Sequence, residues 1–149
     1  MIYGLRIEFN MGDDEKIVAL LSIINDEASR YAKICKLDCL ERIVSDYKTF
    51  ENAVLSIETI GQLVRRLSEA ILSIRMRYYL SETDIHPIYC YQDFVNSSCF
   101  LLVWAYDEWY YDIYCKNETT LKNISERLKK ETSTHSDYID QYEDISTQM

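Results

Sequence analysis

Glycine is scarce in this 149-residue chain, which has three, and so are proline, with one, and histidine, with two. Lys and Arg are outnumbered by Asp and Glu, 16 to 25. Each shortage excludes something. Gly4, Gly12 and Gly61 stand alone, so none of the familiar phosphate-cradling glycine loops can form. His86 and His135 are the only imidazoles, which leaves a cysteine nucleophile short of a base and a zinc site short of ligands. The formal charge of −9, with Lys and Arg scattered rather than clustered, argues against a nucleic-acid backbone as partner. No run approaches the roughly 18 apolar residues of a membrane span. The opening MIYGLRIEFN has neither a basic stretch nor a long apolar one, so no secretion leader is expected. Five cysteines form an odd set, which suits reduced thiols and a cytoplasmic location.

What is present in quantity is tyrosine, thirteen in all, of which Tyr89, Tyr91, Tyr106, Tyr110, Tyr111 and Tyr114 cluster around one stretch. Cys99 to Tyr106 and Trp109 to Cys115 are rich in aromatic and β-branched residues and are separated only by Asp107-Glu108, which predicts a hairpin. A two-residue connection puts Phe100, Leu102, Trp104 and Tyr106 on one face with Trp109, Tyr111, Ile113 and Cys115. That face is the expected core, leaving Leu101, Val103 and Ala105 with Tyr110, Asp112 and Tyr114 on a mixed, wetter face. Asp-Glu lacks the glycine that two-residue turns favour, so a longer turn with a bulge competes. A slip by one residue would bring Trp104 and Asp112 onto the same face.

Elsewhere, alternation from Ile2 to Phe9 predicts a first strand. A helix follows from Gly12-Asp13, with Ile17, Leu20, Leu21 and Ile24 as its buried stripe and an end near Asn25-Asp26. Residues 27–56 read as a strand near 30–37 followed by irregular structure or a short helix, because Ile34, Leu37, Leu40, Val44 and Tyr47 recur at helical spacing. Ile57 to Ile71 has helical period, and the alternation of Ile74, Met76, Tyr78 and Leu80 places a change to strand near Leu72 or Ser73. Thr83 to Pro87 reads as a turn and Tyr91 to Asn96 as one helical turn. The last helix is capped by Asn117, buries Leu121, Ile124 and Leu128, and ends on Lys129-Lys130. Residues 1–131 form the expected single domain. Residues 132–149 form an acidic tail, either solvated or a short amphipathic helix through Tyr138, Ile139, Tyr142 and Ile145.

Candidate chemistry is thin. His86, Cys90 and Cys99 offer three soft ligands, but buried thiols on strands are ordinary packing residues, and neither a metal nor a cofactor is expected. Cys35 and Cys39 would share a helix face as a redox pair; two small core residues is the plainer reading. Asp93, Asp107, Glu108 and Asp112 could work as acid and base, but usually such carboxylates form a solvated rim. No catalytic residue is assigned. Tyrosine combines contact area with a polar tip, so the cluster Tyr106, Tyr110 and Tyr114, with Glu108 and Asp112, is the candidate interface with a protein partner.

The opening MIYGLRIEF, the block YQDFVNSSCFLLVWAYDEWYYDIYCKN and the helix after it resemble a family of short bacterial proteins known only as a domain of unknown function. The likeness covers about a third of the chain and rests on Phe94, Ser97, Cys99, Asp107 and the run Ile113-Tyr114-Cys115-Lys116. It implies a bacterial cytosolic origin and carries no catalytic residue over.

The expected fold is α+β, an antiparallel or mixed sheet of four to five strands with helices packed on one face. The expected function is a non-catalytic protein-binding module, in character like small acidic immunity proteins. The alternative is a small enzyme or ligand-binding domain whose cleft lies beside the 99–115 hairpin and uses Asp112 or Glu108.

Overall fold

Period-two alternation sets Leu5, Ile7 and Phe9 on one side of the opening strand, and all three are buried. The computed structural model describes residues 4–43, 46–66, 71–106 and 109–140, leaving aside the side chains of 41–43, 46–48, 71–72 and 106. Over these residues the chain folds as β1 (Gly4–Glu8), α1 (Asp14–Ala28), β2 (Ile34–Ile43), β3 (Asp46–Ser56), α2 (Ile57–Arg65), β4 (Ile71–Tyr79), α3 (Tyr91–Asn96), β5 (Leu101–Tyr106), β6 (Tyr110–Cys115), α4 (Glu118–Thr132) and β7 (Asp137–Ile139). The strands form one sheet in the order β3-β2-β4-β5-β6-β1-β7, and every pairing is antiparallel. The class is α+β, as expected. The sheet has seven strands, not four to five.

The extra strands come from two places. Residues 34–43 and 46–56, in the stretch expected as one short strand followed by irregular structure or a short helix, are the long strands β2 and β3, paired from Ile34↔Ser56 to Ile43↔Asp46. The helical spacing of Ile34, Leu37 and Leu40 was accidental: Cys35, Leu37 and Cys39 are buried and alternate with half-exposed Ile34, Lys36 and Asp38, which is strand period. A bulge near Asp38 is held by its carboxylate, whose Oδ1 accepts the Asn52 backbone N–H at 2.6 Å. Asn52 has φ 49°, a left-handed conformation that asparagine tolerates. The other extra strand is β7, in the stretch read as acidic tail, where Tyr138 and Ile139 pair with β1 rather than forming a helix. Tyr142 and Ile145 lie outside the described residues.

Three helices cover one face. α1, α2 and α4 bury Ile17, Leu20, Leu21, Ile24, Ile60, Val64, Leu121, Ile124 and Leu128 against it. α1 runs on to Ala28, past the expected end, and its last turn is polar but paired. Asn25 Nδ2 donates to the Ile57 carbonyl and Asn25 Oδ1 accepts from the Tyr78 hydroxyl, both at 3.0 Å. Buried Glu27 meets Arg127 of α4 and Arg30, each at 3.4 Å. α2 ends at Arg65 and β4 starts at Ile71, next to the change of period expected near Leu72 or Ser73. Leu67 and Ala70 lie outside the described residues. The fourth helix, α3, belongs to the segment between β4 and β5 that crosses the other face, so the helices are not all on one side.

The hairpin takes the longer turn. Tyr106 pairs with Tyr110, Trp104 with Asp112 and Leu102 with Tyr114, which leaves three residues between the strands instead of two. The expected core face is therefore corrected. Leu101, Val103 and Ala105 join Tyr111 and Ile113 under the helices, while Leu102 and Trp104 share the second face with Tyr110, Asp112 and Tyr114. Without glycine the two-residue turn lost, and the resulting shift of one position moved a whole strand's side chains across the sheet. The second face accommodates this register because it buries a cluster of its own.

Two substitutions test this packing by chemical denaturation. Asn117 Oδ1 accepts the Thr120 N–H at 3.2 Å, so Asn117→Ala is expected to cost about 1 kcal/mol. The Tyr111 hydroxyl is buried without a hydrogen-bond partner among the described residues. Tyr111→Phe is therefore expected to be neutral or to stabilise by up to about 1 kcal/mol.

Candidate functional site

Register across the second face aligns one position from each of six strands, in the order Asp38, Arg75, Trp104, Asp112, Arg6 and Asp137. Within that row Arg6 grips Asp112 with both prongs of its fork, Nε to Oδ1 at 2.9 Å and Nη2 to Oδ2 at 3.0 Å. The Tyr114 hydroxyl adds a third bond to Oδ2 at 3.3 Å. Asp112 is 1% exposed, contrary to the wet position expected of it. Both oxygens are engaged, so Asp112 is a structural carboxylate rather than an acid or base opening on a cleft.

The same face is covered at one end. The segment from Ser81 to Ser98, with α3, lays Ile88, Tyr91 and Phe94 over Tyr79, Leu102 and Tyr114. Tyr114 meets Tyr91 edge-on at 5.8 Å and crosses β1 at Gly4, where an added Cβ would lie 2.8 Å from its ring. Arg77, buried beside this cluster, donates to the His86 carbonyl at 3.0 Å. Tyr114 is thus fully buried, and with Asp112 it is unavailable as an interface residue. Tyr106 sits on this face by register, but its side chain, like Asp107 and Glu108, lies outside the described residues.

Of the predicted set, Tyr110 is left half-exposed, at the hairpin's turn end. Its hydroxyl donates to Glu8 Oε1 at 3.2 Å. Beside it, Asn10 to Asp13 make a turn in which the Asp13 N–H donates to the Asn10 carbonyl and Gly12 takes φ +92°. Glycine at the third position of such a turn permits the positive φ, and the second position, Met11, is pushed outward. Met11 is 89% exposed. The Phe9 N–H donates to the Trp109 carbonyl at 2.8 Å, which pins this turn against the hairpin. Glu8, Phe9, Asn10, Met11, Trp109 and Tyr110 line an open depression of about 320 Å³. Sequence reading had missed Glu8, Met11 and Trp109 here. The signal was Asn-Met-Gly-Asp, a turn motif that was read as part of a helix start.

The other candidates separate. Cys35 and Cys39 lie on one strand, roughly 13 Å apart at four residues of extended chain, too far for a disulfide without backbone movement. Cys99 is buried and its thiol donates to the Leu101 carbonyl, and no group of three His, Cys, Asp or Glu among the described residues is placed to hold a metal. Asp93 accepts the Tyr89 N–H at 3.0 Å, which closes a turn. Burial pushes the Cys99 thiol up to about 12 and the Cys115 thiol up to about 11. Desolvation also raises Cys35 and the phenols of Tyr78, Tyr79 and Tyr111.

These shifts set an alkaline limit. A thiol or phenol whose folded value is raised keeps its proton in the native state after the unfolded chain has lost it, so its contribution is complete below the unfolded value. Stability is expected to fall as pH rises from about 9, the ordinary thiol value, towards 12. Urea midpoints across that range check it. The ion pair makes a second prediction, one of order. The Arg6 side chain is 34% exposed and can turn to water if its partner is lost, whereas Asp112 cannot. Arg6→Ala should therefore cost about 3 kcal/mol and Asp112→Ala distinctly less, as read by urea unfolding.

No helix among the described residues is long and apolar enough to cross a membrane. Neither a curated protein nor a solved structure matches the chain. One family model does, over residues 2–149, and its description is a protein of unknown function, DUF2691. With essentially the whole chain matched, the protein belongs to the DUF2691 family.

Proposed function

We propose that this protein is a non-catalytic protein-binding module that docks its partner beside the turn end of the β5–β6 hairpin. The observation that carries the reading is Met11, a large apolar side chain held in water at the tip of a hydrogen-bonded turn, beside the half-exposed rings of Trp109 and Tyr110. An ordered turn that displays methionine next to tryptophan and tyrosine has the composition of a binding hot spot. Trp104, half-exposed on the same face as Tyr110, extends that surface along the sheet. The depression is shallow and open, which suits a side chain from a partner better than an enclosed substrate.

A photo-crosslinking residue placed at Met11 tests this in native lysate. One discrete adduct is expected, absent when the same residue replaces Lys122 on α4 and lost on Trp109→Ala in protein that remains folded. Equal adducts from both positions, or none from Met11, would overturn the reading.

A further inference from the structure

The buried charged side chains among the described residues are Asp112, Glu27 and Arg77. Asp112 is answered by Arg6, and Glu27 by Arg30 and Arg127. Arg77 has no such answer. It is 7% exposed, its Nη1 donates to the His86 carbonyl at 3.0 Å, and no carboxylate among the described residues lies within ion-pair distance of it. A cation buried against a neutral carbonyl is costly, because one dipole replaces little of the hydration that was lost. Its neighbour raises that cost. Register sets Lys36 directly across from Arg77, in a row that reads Val54, Lys36, Arg77 and Leu102. Lys36 is half-exposed and likewise has no ion pair among the described residues. Burial and then the Arg77 charge push its amine down, while Asp38, two residues along β2, pulls it up. Asp38 Oδ1 is itself taken by the Asn52 N–H. The residues that adjoin the pair in the sheet, Ile34, Asp38, Val54, Arg75, Tyr79 and Leu102, are all described, and Asp38 is the sole acid among them.

The segment between β4 and β5 shuts Arg77 in on the β5 side, where Ile88 packs with Tyr79 and Leu102. On the other side the cover stops, since Lys36 is half-exposed and Val54 is 36% exposed. The two cations therefore sit at the edge of that cover, with an approach across β2 and β3. From this geometry we infer that Lys36 and Arg77 form an anion site that receives a phosphate group, as the free ion or as a monoester. A guanidinium offers parallel N–H donors to two oxygens, and an ammonium beside it serves a third. Two cations match a dianion better than a single carboxylate. The formal charge of −9 repels anions at long range, so binding has to come from contacts at the site itself. The site lies on β2 and β4, apart from the docking surface beside the hairpin turn, and does not depend on that reading.

The test is an NMR titration of the full chain with sodium phosphate at mildly alkaline pH, read at the Arg77 Nε–H and the Lys36 backbone amide. Phosphate is expected to shift both signals saturably. Sodium chloride at matched ionic strength should leave them unmoved, and acetate should bind more weakly than phosphate. Arg77→Met is expected to weaken phosphate at least about thirtyfold, read at the Lys36 amide, as loss of a desolvated charge pair would. Lys36→Gln is expected to weaken it about fivefold, the worth of one exposed ion pair, read at the Arg77 Nε–H. Lys122→Gln, across the sheet on α4, should change nothing. Phenyl phosphate tells the source: tighter binding than the free ion marks a monoester, weaker binding marks the ion, and both uphold the site. Shifts equalled by chloride, no saturable shift, or an affinity indifferent to Arg77→Met would overturn the inference. Should Arg77→Met fail to fold, an affinity unchanged by Lys36→Gln overturns it in its place.

Discussion

The bidentate pair between Arg6 and Asp112 is the constraint on which the second face depends. It ties the first strand of the chain to one of the last, across more than a hundred residues. It also makes the hairpin register tolerable. With the three-residue turn Asp112 must face the same way as Trp104 and Tyr114, and a carboxylate buried there alone would be costly. Arg6 answers both oxygens and Tyr114 adds a third bond, so the charge is compensated where it is desolvated. A pair of this kind adds little net stability compared with packed hydrocarbon. Its effect is on specificity, because a register moved by one position would leave the guanidinium and the carboxylate on opposite faces.

Once that register is set, the two ends of the second face diverge. One end is closed by Ile88, Tyr91 and Phe94, which bury Tyr79, Leu102 and Tyr114 and exclude water from Arg77. The covering segment reaches no further, and Trp104, Arg6 and Tyr110 remain partly in water. The sheet is thus two-sided at one end and one-sided at the other. Surface that a fold leaves apolar in this way on an ordered scaffold is where binding usually concentrates.

Much of this was legible before any coordinates. The alternation of Leu5, Ile7 and Phe9, the stripe of Leu121, Ile124 and Leu128 and the Asn117 cap each carry a local signal that tertiary packing did not overrule. β2 and β3 were illegible because Ile34, Leu37 and Leu40 satisfy a helical period while belonging to opposite faces of a strand. Their neighbour Asp38 supports a bulge that needs Asn52 from the other strand. The hairpin was visible as a hairpin, yet its register turned on one residue of loop length, which propensity does not specify. Placing Tyr110, Asp112 and Tyr114 on one face was right, and expecting Asp112 and Tyr114 to be accessible was not, since Arg6 and α3 come from other parts of the chain.

Charge is distributed differently along the sheet face and beyond it. Across the face Asp38, Arg75, Asp112, Arg6 and Asp137 alternate in sign from strand to strand, with Trp104 interposed, and a row of this kind cancels its own field within a Debye length of about 8 Å. The excess acidity resides elsewhere, in the first turns of the helices and along the C-terminal stretch, where it acts at long range on anything approaching. Long-range attraction brings a basic surface near without choosing where it lands. Choice requires a carboxylate that is not already neutralised, next to apolar surface that gains by being covered. Asp112, held by both prongs of Arg6, does not meet that condition.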